Sequence, residues 1–501
     1  MAALAAIPLL LAVLHGIHRL YVTTSDGDIV FVYEALRLNS GLSQHYLDHT
    51  GYVMFVLLAW WLKLMHLLGV VDVSSLKALP PTGSAAFEPV YAKLVFAGRY
   101  MVAGLSGVFA ALFFLGIRAI TGNFAVALGA AMVFACSREL GIQALTIYTE
   151  LPSGLFLFLT FVAVATAGSS RRPAFHLFWA GLCATLALMA KMQGVFVALG
   201  MPMVALAFGC RAERRWIEPE WSERLTLSML LAVPILPVLL MVFSAAFFLG
   251  NRGGYQLAII VYIVAAVWAY GLIYAVPVRE RLFAMLAVGG GISAAFLLHL
   301  LYHNMGATDA LSNFIDHMYN LGSIGQKGGD PGGRPSMPLV VRLVDDGFAA
   351  TLARRLFHPD PWLKPLDLLG FAVLIAIAVL AWHRRFAAAL RVGLLAGMAV
   401  GAEAATRIYK IELKHLIYMD TWLIIAAALA AHQFWPEMGR RGRAGLAAVL
   451  LVVLAFEVND VARPNMVQFQ RIENACGQAY AYMMPIAEAF RRYCPPDFPF
   501  P

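Results

Sequence analysis

The stretch TELPSGLFLFLTFVAVATAG, residues 149–168, decides the fold class of this chain. After the glutamate near its start it carries no charged residue, and its length suits a helix that crosses the roughly 30 Å hydrocarbon core of a bilayer. Inside hydrocarbon every backbone polar group must find its partner within the segment, so such a run forms a helix and not an open strand. The stretch therefore predicts a transmembrane helix.

Similar runs recur along the 501 residues, of which 61% are hydrophobic and 13% charged. A soluble domain typically carries about 25% charged residues. The composition predicts an all-α, polytopic integral membrane protein with about 13 transmembrane helices by the length rule. The first run lacks a basic leader and a small-residue cleavage motif, so we expect a retained helix and not a signal peptide. The predicted spans are residues 3–21, 97–118, 123–137, 149–168, 174–191, 195–210, 226–249, 256–276, 284–302, 366–383, 387–404, 416–433 and 444–458.

The formal charge of +8 is spread over short clusters between apolar runs. Membrane topology explains such clusters better than nucleic-acid binding, because lysine and arginine concentrate in cytoplasmic loops. We expect no nucleic-acid partner, a cytoplasmic amino terminus and a periplasmic carboxyl terminus, in the inner membrane of a bacterium. The clusters are Arg118; Arg171 and Arg172; Arg211, Arg214 and Arg215; Arg279 and Arg281; Arg384 and Arg385; and Arg440, Arg441 and Arg443.

This topology places two long segments of the transmembrane domain, residues 1–458, outside the membrane. They are a first outer loop at 22–96 and a late outer loop at 303–365, and we expect function there because loops carry most binding and catalytic residues. Residues 52–70 are long enough to cross the bilayer, but crossing would invert the side of every later arginine cluster. We therefore predict an interfacial or re-entrant helix, with an ordinary span as the alternative.

The carboxyl-terminal tail, residues 459–501, is predicted to be periplasmic. It contains Cys476 and Cys494. Disulfides persist in oxidising compartments, so we expect these two cysteines to pair.

Acidic residues mark two places on the predicted outer surface. Asp26 and Asp28 follow the first helix, and Glu150 opens the fourth span. A carboxylate near the lipid headgroups can act as the general base for an incoming hydroxyl or bind a hard divalent cation. A turn with a helix cap remains the alternative for Asp26 and Asp28, and an ion pair with Arg138 remains one for Glu150.

Basic residues suited to a phosphate group lie at the predicted outer helix ends. Lys191 interrupts an apolar run, where an unpaired cation would be costly. Arg407, Lys410 and Lys414 are spaced to share one helix face, although ordinary anchoring at the membrane interface gives the same pattern. The predicted substrate-binding residues are Asp48, His49, Tyr52, Arg138, Lys191, Arg407, Tyr409, Lys410 and Lys414.

The order of these elements resembles the GT-C class of membrane glycosyltransferases, in particular the protein O-mannosyltransferase and lipid A aminoarabinose transferase group. Asp28 matches the catalytic acid of that group in its position after the first helix, although Ile29 stands where a glutamate commonly follows. Asp48-His49-Thr50-Gly51-Tyr52 stands where the group has a proline-containing turn before its interfacial helix. Glu150 matches the acid before the fourth helix, and Lys191 the lysine of the fifth.

The resemblance implies transfer of a sugar from a polyprenyl-phosphate donor, within the membrane lipid, to an acceptor hydroxyl of an envelope glycan, lipid or protein. Either Asp28 or Asp26 would deprotonate the acceptor, and the basic residues, with or without a divalent cation such as Mg²⁺ or Mn²⁺, would neutralise the leaving phosphate. Two other functions stay open: a flippase or transporter for lipid-linked glycans, and a polysaccharide ligase that transfers a whole glycan.

Overall fold

The computed structural model of the chain describes one set of residues, and every structural statement here concerns that set. It comprises residues 1–24, 28–43, 51–170, 172–191, 194–198, 200–209, 281–302, 365–407, 417–462, 486 and 489.

The described residues form helices and connecting turns, with no strand among them. Two 3-10 turns lie at Tyr21–Thr24 and Leu76–Ala78. The α-helices are α1 (Ala2–His15), α2 (Val30–Asn39), α3 (Tyr52–Leu67), α4 (Phe87–Thr121), α5 (Phe124–Cys136), α6 (Arg138–Leu145), α7 (Glu150–Ala167), α8 (Pro173–Ala190), α9 (Val195–Ala198), α10 (Met201–Gly209), α11 (Arg281–Tyr302), α12 (Pro365–Trp382), α13 (Phe386–Arg407), α14 (Ile417–Phe434) and α15 (Arg440–Ala462).

Polar and small residues set the helix ends around α4, α5 and α6. Gly122 ends α4 in the left-handed region with φ 66°, a conformation that costs glycine little. The side chain of Asn123 accepts hydrogen bonds from two backbone N–H groups at the start of α5. Ser137 caps α6 in the same way, and the chain bends by 51° between α5 and α6. A buried polar helix start therefore lies inside the helical bundle.

Six described helices are long and apolar enough to cross a membrane, or seven if α5 and α6 together make one bent span. Helices α1 and α3 are apolar but shorter. At 16 residues, α3 covers most of the segment predicted to be interfacial, and that location stays a prediction. The six are Phe87–Thr121, Glu150–Ala167, Pro173–Ala190, Phe386–Ala404, Ile417–Phe434 and Arg440–Asn459.

The helical fold class of the described residues is as predicted, whereas the count of about 13 spans is not confirmed. The predicted span 195–210 contains two short helices, α9 and α10. The predicted span 123–137 agrees with the bounds of α5, but α5 is short and is followed at Ser137 by α6, so that the two helices count together as one bent span. Helix α4 begins at Phe87 and not at residue 97. The predicted spans 226–249 and 256–276 lie outside the described residues.

An aromatic cluster joins α4, α5, α7 and α14 at the centre of the bundle. Phe113 stacks on Phe134 with ring centroids 4.4 Å apart and on Phe158 at 4.8 Å. Trp422 meets Phe161 edge to face at 5.5 Å. These side chains are almost fully buried, and aromatic packing of this kind contributes beyond the area that it buries. The cluster holds together the helices whose ends carry the polar residues.

Candidate functional site

A fully buried carboxylate, Asp28, lies just before α2, in the segment that follows the first helix. Its Oδ2 atom pairs with Arg99, at 2.7 Å from Nη2 and 2.9 Å from Nε. Its Oδ1 atom accepts a hydrogen bond of 2.9 Å from the backbone N–H of Ile147. A buried charge is tolerated only when it is paired and hydrogen-bonded, and Asp28 meets both conditions.

Arg99 donates hydrogen bonds to three backbone carbonyl groups in addition to its pair with Asp28. Its Nη1 atom donates to the carbonyl oxygens of Ile17 at 3.1 Å and Arg19 at 2.6 Å, and Nη2 donates to that of Leu20 at 3.3 Å. The planar guanidinium can serve several acceptors at once because its five N–H donors have a fixed geometry. One side chain of α4 therefore fixes the path of the chain between α1 and α2.

Arg19 is a second cation beside Asp28. Its Nη2 atom lies 3.8 Å from Oδ2 of Asp28, and it also donates to the hydroxyl of Thr146. The cluster thus holds one carboxylate between two guanidinium groups.

Glu150, the first residue of α7, and Lys191, which follows α8, form a second buried ion pair. The Nζ atom of Lys191 lies 3.3 Å from Oε1 of Glu150, and both side chains are 5% exposed or less. Thr149 donates to Oε2 of Glu150 at 3.3 Å. Tyr418 of α14 lies near enough to interact electrostatically with Glu150.

Local sequence explains the position of both partners. Glu150 is the first residue of α7, where the helix dipole favours a negative charge. Lys191 follows the last residue of α8 in an extended conformation, with φ −156° and ψ 120°, so the side chain leaves the helix at its end. The pair therefore lies where two helix ends meet.

The segment Thr146–Glu150 connects the two ion pairs. Ile147 binds Asp28 through its backbone, and Glu150 binds Lys191 three residues later. The two acidic elements that were predicted separately from the sequence are thus neighbours. One short segment therefore links Asp28 to the pair of Glu150 and Lys191. Arg19 and Arg99 are charges beside Asp28 that the sequence analysis did not identify.

Arg138 opens α6 on another side of this segment. Its backbone N–H donates to Oε2 of Glu457 at 3.1 Å, which joins α6 to α15. Its Nε atom is buried and has no hydrogen-bond partner among the described residues. Glu139 is buried beside it. The Nε–H group of Arg138 is therefore a donor that no described residue accepts from.

Tyr52 opens α3 and packs its ring into the bundle. Its ring packs against His299 of α11 with centroids 4.1 Å apart, and the two lie in an apolar cluster with Leu182, Met189 and Ala295. The predicted substrate-binding role of Tyr52 stays a prediction. Its ring helps to hold α3 against α8 and α11.

Several predicted site residues lie outside the described residues. Arg407 ends α13, but nothing is described of its side chain. The late outer loop from residue 303 to 364 and the predicted pairing of Cys476 with Cys494 also fall outside. The remaining predicted site residues of this kind are Asp26, Asp48, His49, Tyr409, Lys410 and Lys414.

The described part of the site does not fit a divalent cation. Both oxygens of Asp28 are already engaged by Arg99 and Ile147. Within the described ranges no group of three histidine, cysteine, aspartate or glutamate side chains could hold a metal ion. No step of the chemistry proposed below is therefore routed through a metal.

Arg99 could have been found from the sequence, because an ionisable residue inside an apolar run is a functional candidate by default. Glu457 could have been found by the same rule. The partners of these two residues could not have been found from the sequence, since Arg99 and Asp28 are 71 residues apart and Arg138 and Glu457 are 319 apart.

No family model matches the chain, and no curated protein matches it. Solved structures of the archaeal oligosaccharyltransferase AglB from Archaeoglobus fulgidus are similar over 100% of this chain: a complex with an inhibitory peptide and a dolichol-phosphate (TM-score 0.46, 13% identity), a complex with Zn and sulfate (0.44, 14%) and an apo form (0.42, 11%). The chain covers 60%, 57% and 60% of those chains. Similarity at these values does not establish a shared fold.

Proposed function

We propose that the chain is a membrane glycosyltransferase of the GT-C class. In this proposal it moves a sugar from a polyprenyl-phosphate donor to an acceptor hydroxyl of an envelope glycan, lipid or protein. The reaction takes place on the periplasmic face of a bacterial inner membrane, with the amino terminus of the chain in the cytoplasm.

One observation carries the proposal: the hydrogen bond from Ile147 to Asp28 brings the first acidic element against the second. The resemblance was drawn from the order of Asp28, Glu150 and Lys191 along the chain. That one short buried segment, Thr146–Glu150, links these residues in the folded chain supports a common role. Ion-pair networks of purely structural purpose are the alternative, so the role requires an activity test.

The proposed chemistry is a direct displacement at the anomeric carbon with inversion. The acceptor hydroxyl loses its proton to a carboxylate, its oxygen attacks the anomeric carbon, and the bond from that carbon to the phosphate oxygen breaks. The phosphate leaves with the bonding electron pair. Either Asp28 or Asp26 is the base, and an acceptor hydroxyl that approached Asp28 would have to displace Arg99 or Ile147 from one oxygen.

Cations would stabilise the leaving phosphate. Among the described residues Arg138 has an unused donor at Nε, and the excess of guanidinium over carboxylate around Asp28 also favours an anion. Lys191 would act from its pair with Glu150. Arg407, Lys410 and Lys414 complete the proposed set, and a divalent cation held by residues outside the described ranges remains part of the proposal.

The test is transfer from a panel of radiolabelled polyprenyl-phosphate sugars into membrane extracts by the purified protein. The variants are Asp28→Asn, Asp26→Asn and Glu150→Gln. The matched control is Asp72→Asn, which alters an exposed acid of the same outer loop. We expect one labelled sugar to be incorporated, a loss of about 10²- to 10⁴-fold in the variant that lacks the base, and no loss in the control.

Two outcomes would contradict the proposal. If the folded wild-type protein incorporates no sugar from any donor while lipid stays bound, a flippase or a ligase becomes the better assignment. If both aspartate variants retain full activity, the base lies elsewhere. Thermal unfolding of each variant is measured in parallel, so that a loss of folding is not taken for a loss of catalysis.

A further inference from the structure

A polar cavity lies at the opposite end of α7 from Glu150. It has a volume of about 210 Å³ and is lined by polar side chains near the ends of α7, α13 and α14: Thr166, Ser169, Arg391, His432 and Gln433. Helix α7 has 18 residues, so at a rise of 1.5 Å per residue its ends are roughly 27 Å apart. The cavity is therefore separate from the proposed catalytic region.

Donors in this cavity are left unused by the described residues. The Nε atom of Arg391 donates to the carbonyl oxygen of Ala207 at 2.8 Å, and its guanidinium lies 5.3 Å from the ring centroid of Phe208. In the described part of the chain its two terminal amino groups have no hydrogen-bond partner. Within that same part, the buried Nδ1 atom of His432 has none either. An unpaired buried atom such as Nδ1 of His432 is costly unless a ligand or water binds it. Arg391 is partly exposed, so its two amino groups are open to a ligand in the cavity.

The charge of the cavity selects an anion. Arg391 is a fixed cation, and none of the described residues that line the cavity is an aspartate or glutamate. A guanidinium that keeps two parallel donors free matches the oxygens of a phosphate group. Thr166 and Ser169 line the same cavity, and their hydroxyl groups donate to the backbone carbonyl oxygens of Val162 and Thr166.

An apolar cleft adjoins the polar cavity and shares Thr166 and Ser169 with it. The cleft has a volume of about 540 Å³ and continues past Leu159 of α7 to Trp179 and Cys183 of α8. Leu159 lies two turns before Thr166, about 10 Å along the helix axis. The cleft therefore runs from the helix ends toward the middle of the bundle, the direction that a lipid chain takes in a bilayer.

We propose that this cavity and cleft bind an anionic phospholipid. Its phosphate lies against Arg391 and His432, and one acyl chain fills the cleft along α7 and α8. A free phosphate ion would satisfy the polar cavity but would leave the adjoining apolar cleft without an occupant. The site is independent of the proposed catalysis, because it uses neither Asp28 nor Glu150 and lies at the far end of α7.

The first experiment uses purified full-length chain in detergent, stripped of lipid, and measures thermal stabilisation by added dioleoylphosphatidylglycerol. The comparison ligands are dioleoylphosphatidylcholine, which has no net charge, and inorganic phosphate. We expect the anionic lipid to raise the unfolding temperature most.

Arg391→Gln should weaken the apparent affinity of the protein for dioleoylphosphatidylglycerol by about fivefold, as for the loss of one lipid-facing arginine. The matched control is Arg441→Gln, an exposed arginine at the start of α15, which should not change it.

A second experiment locates the lipid without relying on a variant. Phosphatidylglycerol with a diazirine in its acyl chain is photolysed with the wild-type protein, and the labelled peptides are mapped. We expect label between Leu159 and Ser169 and around Trp179 and Cys183. Equal stabilisation by the zwitterionic lipid, equal stabilisation by phosphate alone, equal effects of Arg391→Gln and Arg441→Gln, or label confined to other helices would each overturn the proposal.

Discussion

Two ion pairs join the segment after the first helix to the same helix, α4, and they differ in almost every physical respect. Asp28 and Arg99 are both 0% exposed, and the Nη2 and Nε atoms of Arg99 lie 2.7 Å and 2.9 Å from Oδ2 of Asp28. Asp72 and Lys93 are 58% and 47% exposed, with the Nζ atom 3.1 Å from the carboxylate. The comparison teaches that the effect of an ion pair depends on its surroundings. Water can replace either partner of the outer pair, whereas both partners of the inner pair are shielded from water, and among the described residues only Arg19, at 3.8 Å, is a second cation beside Asp28.

Burial raises the free energy of unfolding that is lost when one partner of the inner pair is removed. Two charges taken out of water gain little net stability from each other, but removing one leaves the other buried without compensation. An exposed pair contributes about 0–1 kcal/mol, because water screens both charges and their side chains lose freedom. The inner pair also fixes the chain from Ile17 to Leu20 through the backbone contacts of Arg99. It therefore couples stability to the geometry of the proposed site.

Replacement of Arg99 by leucine should have the largest effect. The variant leaves Asp28 charged and buried and removes the donor for three backbone carbonyl groups, so we expect the free energy of unfolding to fall by about 3–5 kcal/mol. Chemical unfolding in micelles, followed by tryptophan fluorescence, measures it. Lys93→Leu is the matched control on the same helix, and an equal loss in the two variants would contradict the difference argued here.

Asp28→Asn should cost less than the loss of Arg99. The amide oxygen can accept from Ile147 or from Arg99 but not from both, because the amide nitrogen only donates. The side chain also carries no charge, so two guanidinium groups stay buried together, at a cost of about 1–3 kcal/mol. The double variant Asp28→Asn/Arg99→Leu should lose less than the sum of the two single variants, since the partners are in contact. Additive losses in this double-mutant cycle would show that the pair is not coupled.

The pair of Glu150 and Lys191 tests whether burial alone decides the effect. It is buried like the inner pair, but its one contact is longer, at 3.3 Å. We expect Lys191→Met to destabilise the protein by about 1–3 kcal/mol because it leaves Glu150 without its cation. Replacing both partners, as Glu150→Leu/Lys191→Met, should recover much of this loss. A double variant less stable than Lys191→Met would mean that Glu150 makes a further stabilising interaction besides its pair with Lys191. Transfer assays would then show whether the loss of Glu150 also lowers activity.

The sequence predicted those features that depend on local pattern. The spans 149–168 and 174–191 agree with α7 and α8 to within one residue at each end. These runs are bounded by glycine, proline or charged residues, which end an apolar helix for local reasons. The acids Asp28 and Glu150 were identified in the same way, as polar residues at the ends of such runs.

Long-range pairing could not be predicted from that pattern. Arg99 reads as part of an apolar run, and only the folded chain brings it to Asp28, 71 residues away. The sequence analysis placed the end of α5 at residue 137 but did not predict α6, whose start is held by Glu457 of α15 through a contact between distant residues. Periodicity reports which face of a helix is apolar, but it carries no information about which buried charge lies opposite.

The outer pair should give the smallest effect and the clearest dependence on salt. Asp72→Asn or Lys93→Gln should change the free energy of unfolding by less than about 1 kcal/mol, because both charges remain solvated when the partner is removed. At 1 M salt the Debye length is about 3 Å, so the difference between wild type and either variant should disappear, whereas the cost of Arg99→Leu should persist because no ion reaches the inner pair. Unfolding of the four proteins at low and high salt measures both contrasts. A loss at Asp72 that resists salt would mean that this carboxylate is held by the fold, and the distinction between the two pairs would then fail.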